Sequence, residues 1–238
     1  MAYNMISIPL LASPDYECSY LPEQLARSAF INPYFALTPI VYEQLLKQGY
    51  RRSGDEVYKP YCRQCHACIP CRIPVKQFKP NRGQQRCWKK HANTTVVIKP
   101  PVFEQAHYDL YMRYQKTRHS GGGMEQSSPE DYINFLSSRW CTTCFAEISV
   151  DKKLAGVAII DQFPRSWSAV YTFFDPELEH LSLGIYAVLW QIEQLKQHRL
   201  DYLYLGYWIK ECRKMAYKDN YQPLEILENN QWRVLERG

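Results

Sequence analysis

Cys62, Cys65, Cys68 and Cys71 recur at every third position. Thiolates at two-residue gaps are the usual way one short loop offers several sulfurs to a zinc ion or an iron–sulfur cluster. A zinc site normally joins two such knuckles across a longer loop, and a single short run rarely wraps all four corners of a tetrahedron. Cys18, Cys87 or the pair Cys141 and Cys144 would have to complete the site in space. The plainer reading, preferred here, is reduced thiols packed in a proline-stiffened loop with no metal bound. His119 and His180 are the wrong kind of signal for nucleophilic catalysis, because nothing in the sequence pairs either with a nucleophile. No Gly-x-Ser-x-Gly elbow, phosphate loop or dinucleotide glycine fingerprint occurs.

The most specific text lies near the C-terminus, from Tyr204 to Lys218. It packs the cations Lys210, Arg213, Lys214 and Lys218 among Tyr204, Tyr207, Trp208 and Tyr217. As a plain surface helix this mixture is odd. As a pocket for an anion beside an apolar group it makes sense.

A second anion signal is a charge asymmetry. The chain carries 29 basic and 24 acidic residues, a net +5. From Val57 to Phe103 there is no acid at all, yet Lys59, Arg63, Arg72, Lys76, Lys79, Arg82, Arg86, Lys89, Lys90 and Lys99 fall there. The remainder is therefore net negative. Like charges crowded together repel, so an acid-free basic run is best explained by a polyanion such as nucleic-acid phosphate. Tyr58, Tyr61, Phe78, Trp88 and His91 in the same run offer flat faces on which unpaired bases stack. The competing reading is a solvated basic face.

These groups need a scaffold, and 238 residues allow one large or two small domains. Lys99-Pro100-Pro101 suggests a boundary, giving a smaller cysteine-rich basic domain over 1–99 and a regular domain over 100–238. In the second part Glu104–Arg118 has helical spacing, and Ser128-Pro129-Glu130-Asp131 is a capped helix start. Phe145–Val150 and Leu154–Phe163 flank a hairpin turn at Asp151-Lys152-Lys153. Trp167–Phe174 is a third strand, Ser182 opens a helix to about His198, and Tyr202–Leu205 and Leu224–Leu227 are further strands. The expectation is an α/β (α+β) fold, a mixed sheet with flanking helices in the order of N-acetyltransferase-type acyltransferases. No stretch is long enough to cross a bilayer and no basic n-region precedes Met5–Ala12, so a cytoplasmic protein is expected, with its nine cysteines as thiols.

The segment Gly206-Tyr207-Trp208-Ile209-Lys210-Glu211-Cys212-Arg213-Lys214-Met215-Ala216-Tyr217-Lys218 resembles one carried by the arginyl-tRNA–protein transferase family. Cys18-Ser19-Tyr20-Leu21-Pro22, Tyr58-Lys59-Pro60, Arg82 to Arg86, Asp175-Pro176 and Ser182-Leu183-Gly184-Ile185-Tyr186 look like further signatures in the family's order, so the resemblance spans the chain. The short length is similar to the bacterial branch, which moves leucine from leucyl-tRNA onto proteins beginning with Asp or Glu; longer eukaryotic relatives transfer arginine. In those relatives a Cys-x-x-Cys pair contributes to a proposed iron–sulfur cluster. Here Leu21 stands three positions after Cys18, so that pair is broken.

The resemblance implies aminolysis of an aminoacyl ester by a protein α-amine, needing no cofactor, with leucyl-tRNA and proteins bearing N-terminal Asp or Glu as partners and the N-degron pathway as the context. A monomer is expected. Tyr207 and Ser182 are the candidates for stabilising the oxyanion. Lys210, Arg213, Lys214, Lys218 and Arg118 are candidates for the acidic side chain, and Lys79, Arg82, Arg86, Lys89 and Lys90 for the tRNA. Arginyl transfer, a non-catalytic RNA-binding metal-knuckle protein and an acetyl-CoA-dependent enzyme are the rivals. The last lacks its pyrophosphate loop, since Leu181-Ser182-Leu183-Gly184 stands there instead.

Overall fold

The computed structural model describes residues 7–118 and 126–236; His119 and the glycine run Gly121–Gly123 lie outside them. The first part is built from short strands: β1 (Leu10–Ala12), β2 (Tyr16–Glu17), β3 (Leu25–Ala26) and β4 (Ser28–Ile31). Helix α1 (Pro39–Lys47) follows, started by Pro39 and by Thr38, whose side chain accepts from the Val41 N–H. Next comes the hairpin β5 (Arg51–Ser53) and β6 (Glu56–Pro60), turned at Gly54 with φ +59°. Strands β1, β4, β6 and β5 pair in that order as a small sheet, and β2 pairs with β3 alone.

The chain continues through β7 (Ile69–Pro74), α2 (Arg82–Lys90), β8 (Thr95–Lys99), α3 (Gln105–Arg118), α4 (Pro129–Leu136), β9 (Thr143–Val150), β10 (Lys153–Gln162) and β11 (Ser166–Phe174). After a 3-10 turn at Pro176–Leu181 come α5 (Leu183–Gln197), β12 (Tyr202–Trp208), α6 (Arg213–Ala216), a 3-10 turn at Tyr217–Asn220, and the hairpin β13 (Glu225–Glu228) and β14 (Gln231–Val234). The large sheet runs β14-β13-β7-β12-β11-β10-β9-β8. Its parallel pair is β11–β12, joined by α5 as the crossover, and the rest is antiparallel. The mixed α/β sheet with flanking helices is as expected, and a smaller cysteine-bearing region precedes it. Strands β7 and β8, from the segment before Pro100, belong to the large sheet, so hydrogen bonding crosses the position 99/100.

Both faces of the large sheet are covered. On one, α5 buries Leu183, Tyr186, Leu189, Ile192 and Leu195 against Ala158, Ile160, Leu203 and Leu205. On the other, Leu110 and Tyr111 of α3 and Tyr132 and Leu136 of α4 meet Phe145, Val157, Ile159 and Phe173. Helix α4 begins where Ser128 and Asp131 cap each other's backbone. The small sheet and α1 dock through Tyr42, Leu45, Leu46 and Val57, which pack with Phe163 and Tyr204.

Candidate active site

Strands β11 and β12 are in register only over Ser166–Ser168 and Tyr202–Tyr204, and then part. Each carries a register shift at the point of parting, between Ile159 and Ile160 where β10 meets β11 and between Tyr204 and Gly206 where β12 meets β7. An extra residue bends its strand, so two opposed shifts open the sheet into a split. A split in a parallel pair exposes backbone groups that must find partners. Here Arg51 supplies them: its guanidinium donates to Ser168 Oγ at 2.9 Å and to the Ala169 carbonyl at 2.6 Å. It lies over Gly206, where φ is +80° and an added Cβ would stand 3.5 Å from Arg51 Nε.

Arg51 and Arg52 are neighbours on β5 and face opposite ways, as strand alternation requires. Arg52 is matched completely. Its guanidinium grips Asp161 through Nε and Nη2 at 2.7 Å each, and it also donates to the Gly54, Leu136 and Ser137 carbonyls and to Thr143 Oγ1. Both side chains of that pair are wholly buried. Arg51 has no carboxylate partner among the described residues; its hydrogen bonds go to Ser168 and Ala169 alone.

Lys218 is the second cation at the split. It is 5% exposed, and its ammonium donates to the Tyr207 carbonyl and contacts Met215 Sδ at 3.5 Å. Burial pulls it down from 10.5 to about 8; Arg51 adds to this, while the thiols Cys71, Cys212 and Cys68 oppose it. The largest charges acting on it are those of Arg51 and the three thiols. Lys218 is thus buried and Arg51 half-buried, with no carboxylate bonded to either among the described residues, which is costly for the buried one unless a ligand provides an anion.

The other sequence candidates divide between locations. Lys210, Arg213 and Lys214 sit exposed on the turn after β12 and on α6. Tyr207 is buried, and its hydroxyl donates to the Gly49 carbonyl at 2.9 Å, so that proton is committed within the fold; burial raises its pKa well above the usual value. Ser182 and Arg118 belong with the turn at Pro176–Leu181. Ser182 is left-handed at φ +57° and its side chain makes no cap bond, which corrects the simple N-cap reading; its own N–H donates to the Glu179 carbonyl. Arg118 pairs with Glu179 at 2.7 Å.

The tRNA candidates form one surface. Asn81 and Gln84 close a capping box at the start of α2, and Gln84 and Cys87 bury its inner face. Arg82, Arg86, Lys89 and Lys90 point outward with Lys79 just before the helix, and none of the five takes part in an ion pair among the described residues. Four others of the acid-free run are compensated in space: Arg72 by Glu225, Lys76 by Asp201, Arg63 by Asp15, and Lys99 by Glu104 and Glu147, while Lys59 lies over the Tyr50 ring. Of the flat side chains, Trp88 and Tyr61 are exposed at 41% and 56%, whereas Phe78 and His91 are buried.

Cys18, Cys62, Cys65 and Cys68 line one cavity of about 320 Å³ between β2–β3 and the small sheet, and Cys71 is buried in β7. Among the described residues, no three sulfurs lie within 4.8 Å of one another; Glu104, His107 and Glu147 do, but the Lys99 ammonium already stands at 2.9 and 2.6 Å from the two carboxylates. Burial raises Cys68 to about 12 and Cys71 to about 11, which keeps both protonated at neutral pH.

The fold and the split define a mixed-sheet α/β protein in which Arg51 and Lys218 are held by neutral partners. The family profiles "Arginine-tRNA-protein transferase, N terminus" and "Arginine-tRNA-protein transferase, C terminus" match residues 16–86 and 106–228. A Chromobacterium violaceum protein named aspartate/glutamate leucyltransferase is 44% identical over 100% of this chain and 98% of its own. Proteins of the same name from Marinobacter nauticus and Nitrosococcus oceani are 44% and 46% identical, covering 98% and 94% of this chain and 98% and 94% of theirs. The chain belongs to the arginine-tRNA-protein transferase family. A solved C-terminal domain of a putative lysylphosphatidylglycerol synthetase from Agrobacterium fabrum is 11% identical with a TM-score of 0.44, covering 72% of this chain and 53% of that one; a likeness of that size adds nothing to the assignment.

Proposed function

We propose that this chain moves leucine from leucyl-tRNA to the α-amine of proteins that begin with Asp or Glu, marking them as N-degron substrates. The observation that carries the reading is the full-length likeness, at 44–46% identity, to relatives named for that transfer. The acid-free split supports it, because an acceptor chosen for its carboxylate needs a cation without a resident partner. In the transfer, the acceptor nitrogen attacks the leucyl carbonyl. The new amide C–N bond replaces the ester C–O bond, and the ribose oxygen leaves with the proton that the amine gives up. An α-amine titrates near 8, so about a tenth is neutral at pH 7 and positioning supplies much of the rate.

The exposed cations Lys79, Arg82, Arg86, Lys89 and Lys90 hold the tRNA phosphates, a contact that positions without specifying sequence. Lys218 faces the acceptor, with Lys210, Arg213 and Lys214 at the rim. Tyr207 contributes its backbone carbonyl and its ring as wall. Residues 1–99 and 100–238 share the labour: the first carries the tRNA surface and the thiols, and the second the crossover and α6. We take the enzyme to act as a monomer, and its use of aminoacyl-tRNA favours work in the cytoplasm. No helix of the described residues is long and apolar enough to cross a membrane.

The test offers the protein leucyl-tRNA, arginyl-tRNA or acetyl-CoA together with an Asp-initiated peptide and weighs the product. Addition of leucine alone is expected. Addition of arginine or an acetyl group instead overturns the proposal.

A further inference from the structure

Phe30, Tyr58 and Arg51 are aligned across the small sheet, Phe30 opposite Tyr58 and Tyr58 opposite Arg51, so all three share a face. Phe30, Tyr58 and Tyr207 line the cavity of about 320 Å³, and Arg51 lies beside Tyr58 and Tyr207 behind that lining. The opposite wall is the cysteine loop with Cys62, Cys65 and Cys68. Of the lining residues only Glu56 is an acid. The volume is at the lower end of small-ligand clefts, about 300–1,000 Å³, and suits a short extended segment of peptide more than a nucleotide stem. Arg27 is the cation in the lining itself. Behind the lining residues Tyr58, Tyr207 and Cys68 stand two more cations held by neutral partners, Arg51 by Ser168 and Ala169, and Lys218 by Tyr207 and Met215. A guanidinium has five N–H donors, and these contacts leave several of them for a ligand.

Resting on the transferase reading above, we propose that Arg51, backed by Lys218, reads the side-chain carboxylate of the acceptor's first residue. The acceptor's following residues lie along the floor made by Phe30 and Tyr58. Arg51 is the specificity-determining residue because its planar fork is locked in place by two hydrogen bonds at the split, whereas Lys218 acts as a point charge that tolerates carboxylates one methylene apart. Gly206 suits the position beneath it because its backbone is left-handed, φ +80°, where an L side chain is strained. A donor site built for a charged oxygen rejects the neutral isostere strongly, because its buried cations stay unpaired. Discrimination between Asp and Asn therefore resides in this pair and not in the exposed cations of α6.

The experiment measures kcat/KM for Asp- and Asn-initiated peptides at fixed leucyl-tRNA, and the KM for leucyl-tRNA at fixed peptide, in the wild type, Arg51→Gln, Arg51→Lys and Lys218→Met. The wild type is expected to prefer Asp by roughly a hundredfold or more. Arg51→Gln should bring that preference within about tenfold with the KM for leucyl-tRNA changed less than about twofold, and Arg51→Lys should recover part of it. Lys218→Met, which leaves the Arg51 hydrogen bonds intact, should lower the preference by a smaller factor; it decides the matter should Arg51→Gln fail to fold. Retention of the wild-type preference in the folded variants overturns the assignment to this pair. A wild type that adds leucine to neither peptide overturns the transferase reading on which it rests.

Discussion

Helix α2 and the β11–β12 split handle positive charge in opposite ways. On α2 the cations Arg82, Arg86, Lys89 and Lys90 stand in water on a face whose acids are absent from the sequence nearby. In the split, the half-buried Arg51 and the buried Lys218 stand against neutral backbone and side-chain partners. Water makes the first arrangement cheap and non-selective: such charges attract any polyanion, and salt screens them. Removal from water makes the second arrangement costly and selective, because an anion that enters must replace lost hydration with fitted hydrogen bonds. The same charge thus serves to gather a large donor at one place and to choose a small acceptor group at another.

Arg52 provides a third condition, a buried cation with its anion already in place, and gives the largest expected effect. Arg52→Ala leaves Asp161 buried and unpaired and should cost about 3–5 kcal/mol of unfolding free energy in a urea titration. Arg51→Gln, one residue away, should cost no more than about 1–2 kcal/mol, because it removes hydrogen bonds without stranding a charge. Similar losses for the two would erase the distinction between paired and unpaired cations.

A smaller effect sharpens the contrast through pH. The Lys218 ammonium titrates near 8 in the folded chain against 10.5 ordinarily. Between those values the unfolded chain binds more protons, so this group makes stability rise with pH through that window; below about 8 both states are protonated and the penalty is constant. Lys218→Met should therefore stabilise the protein at pH 7 by on the order of 1–3 kcal/mol, and the gain should shrink as pH rises from 8 to 10.5. A gain independent of pH would mean that Lys218 is not held against desolvation.

Much of this was legible in the sequence where local rules were strong. The capping box of α4, the helical spacing of α3 and α5, and the hairpin β9–β10, whose turn residues Asp151 and Lys152 take φ of +49° and +63°, follow from short-range chemistry. Strand β7 did not, because Pro70 and Pro74 argue against a central strand. The structure accommodates Pro70 by ending the β13 pairing at Cys71, so that Pro70 faces β12 alone. The ion pair of Arg72 with Glu225 joins residues far apart in the chain, and so the basic run read as wholly unpaired when part of it is compensated. In the cationic segment, α6 is four residues long, too short for periodicity to separate the outward Arg213 and Lys214 from the inward Lys218. Arg51 was missed outright. The one signal available was the pair Arg51-Arg52 ahead of Ser53-Gly54, since alternation on a strand must send two adjacent arginines to different surroundings.

The division between exposed donor-holding cations and buried acceptor-reading cations is tested most directly by salt. Initial rates of leucine transfer at 50 and 200 mM salt give the KM for leucyl-tRNA and for an Asp-initiated peptide separately, in the wild type and in the Arg82, Arg86, Lys89 and Lys90 quadruple change to Gln. In the wild type the KM for leucyl-tRNA should rise roughly a hundredfold over that range, as expected for about five phosphate contacts, while the peptide KM should move less than about threefold. In the quadruple variant the tRNA term should be weaker at low salt and nearly flat, with the peptide KM unchanged. Equal salt dependence of the two KM values in the wild type, or a tRNA term untouched by the quadruple change, would contradict the account.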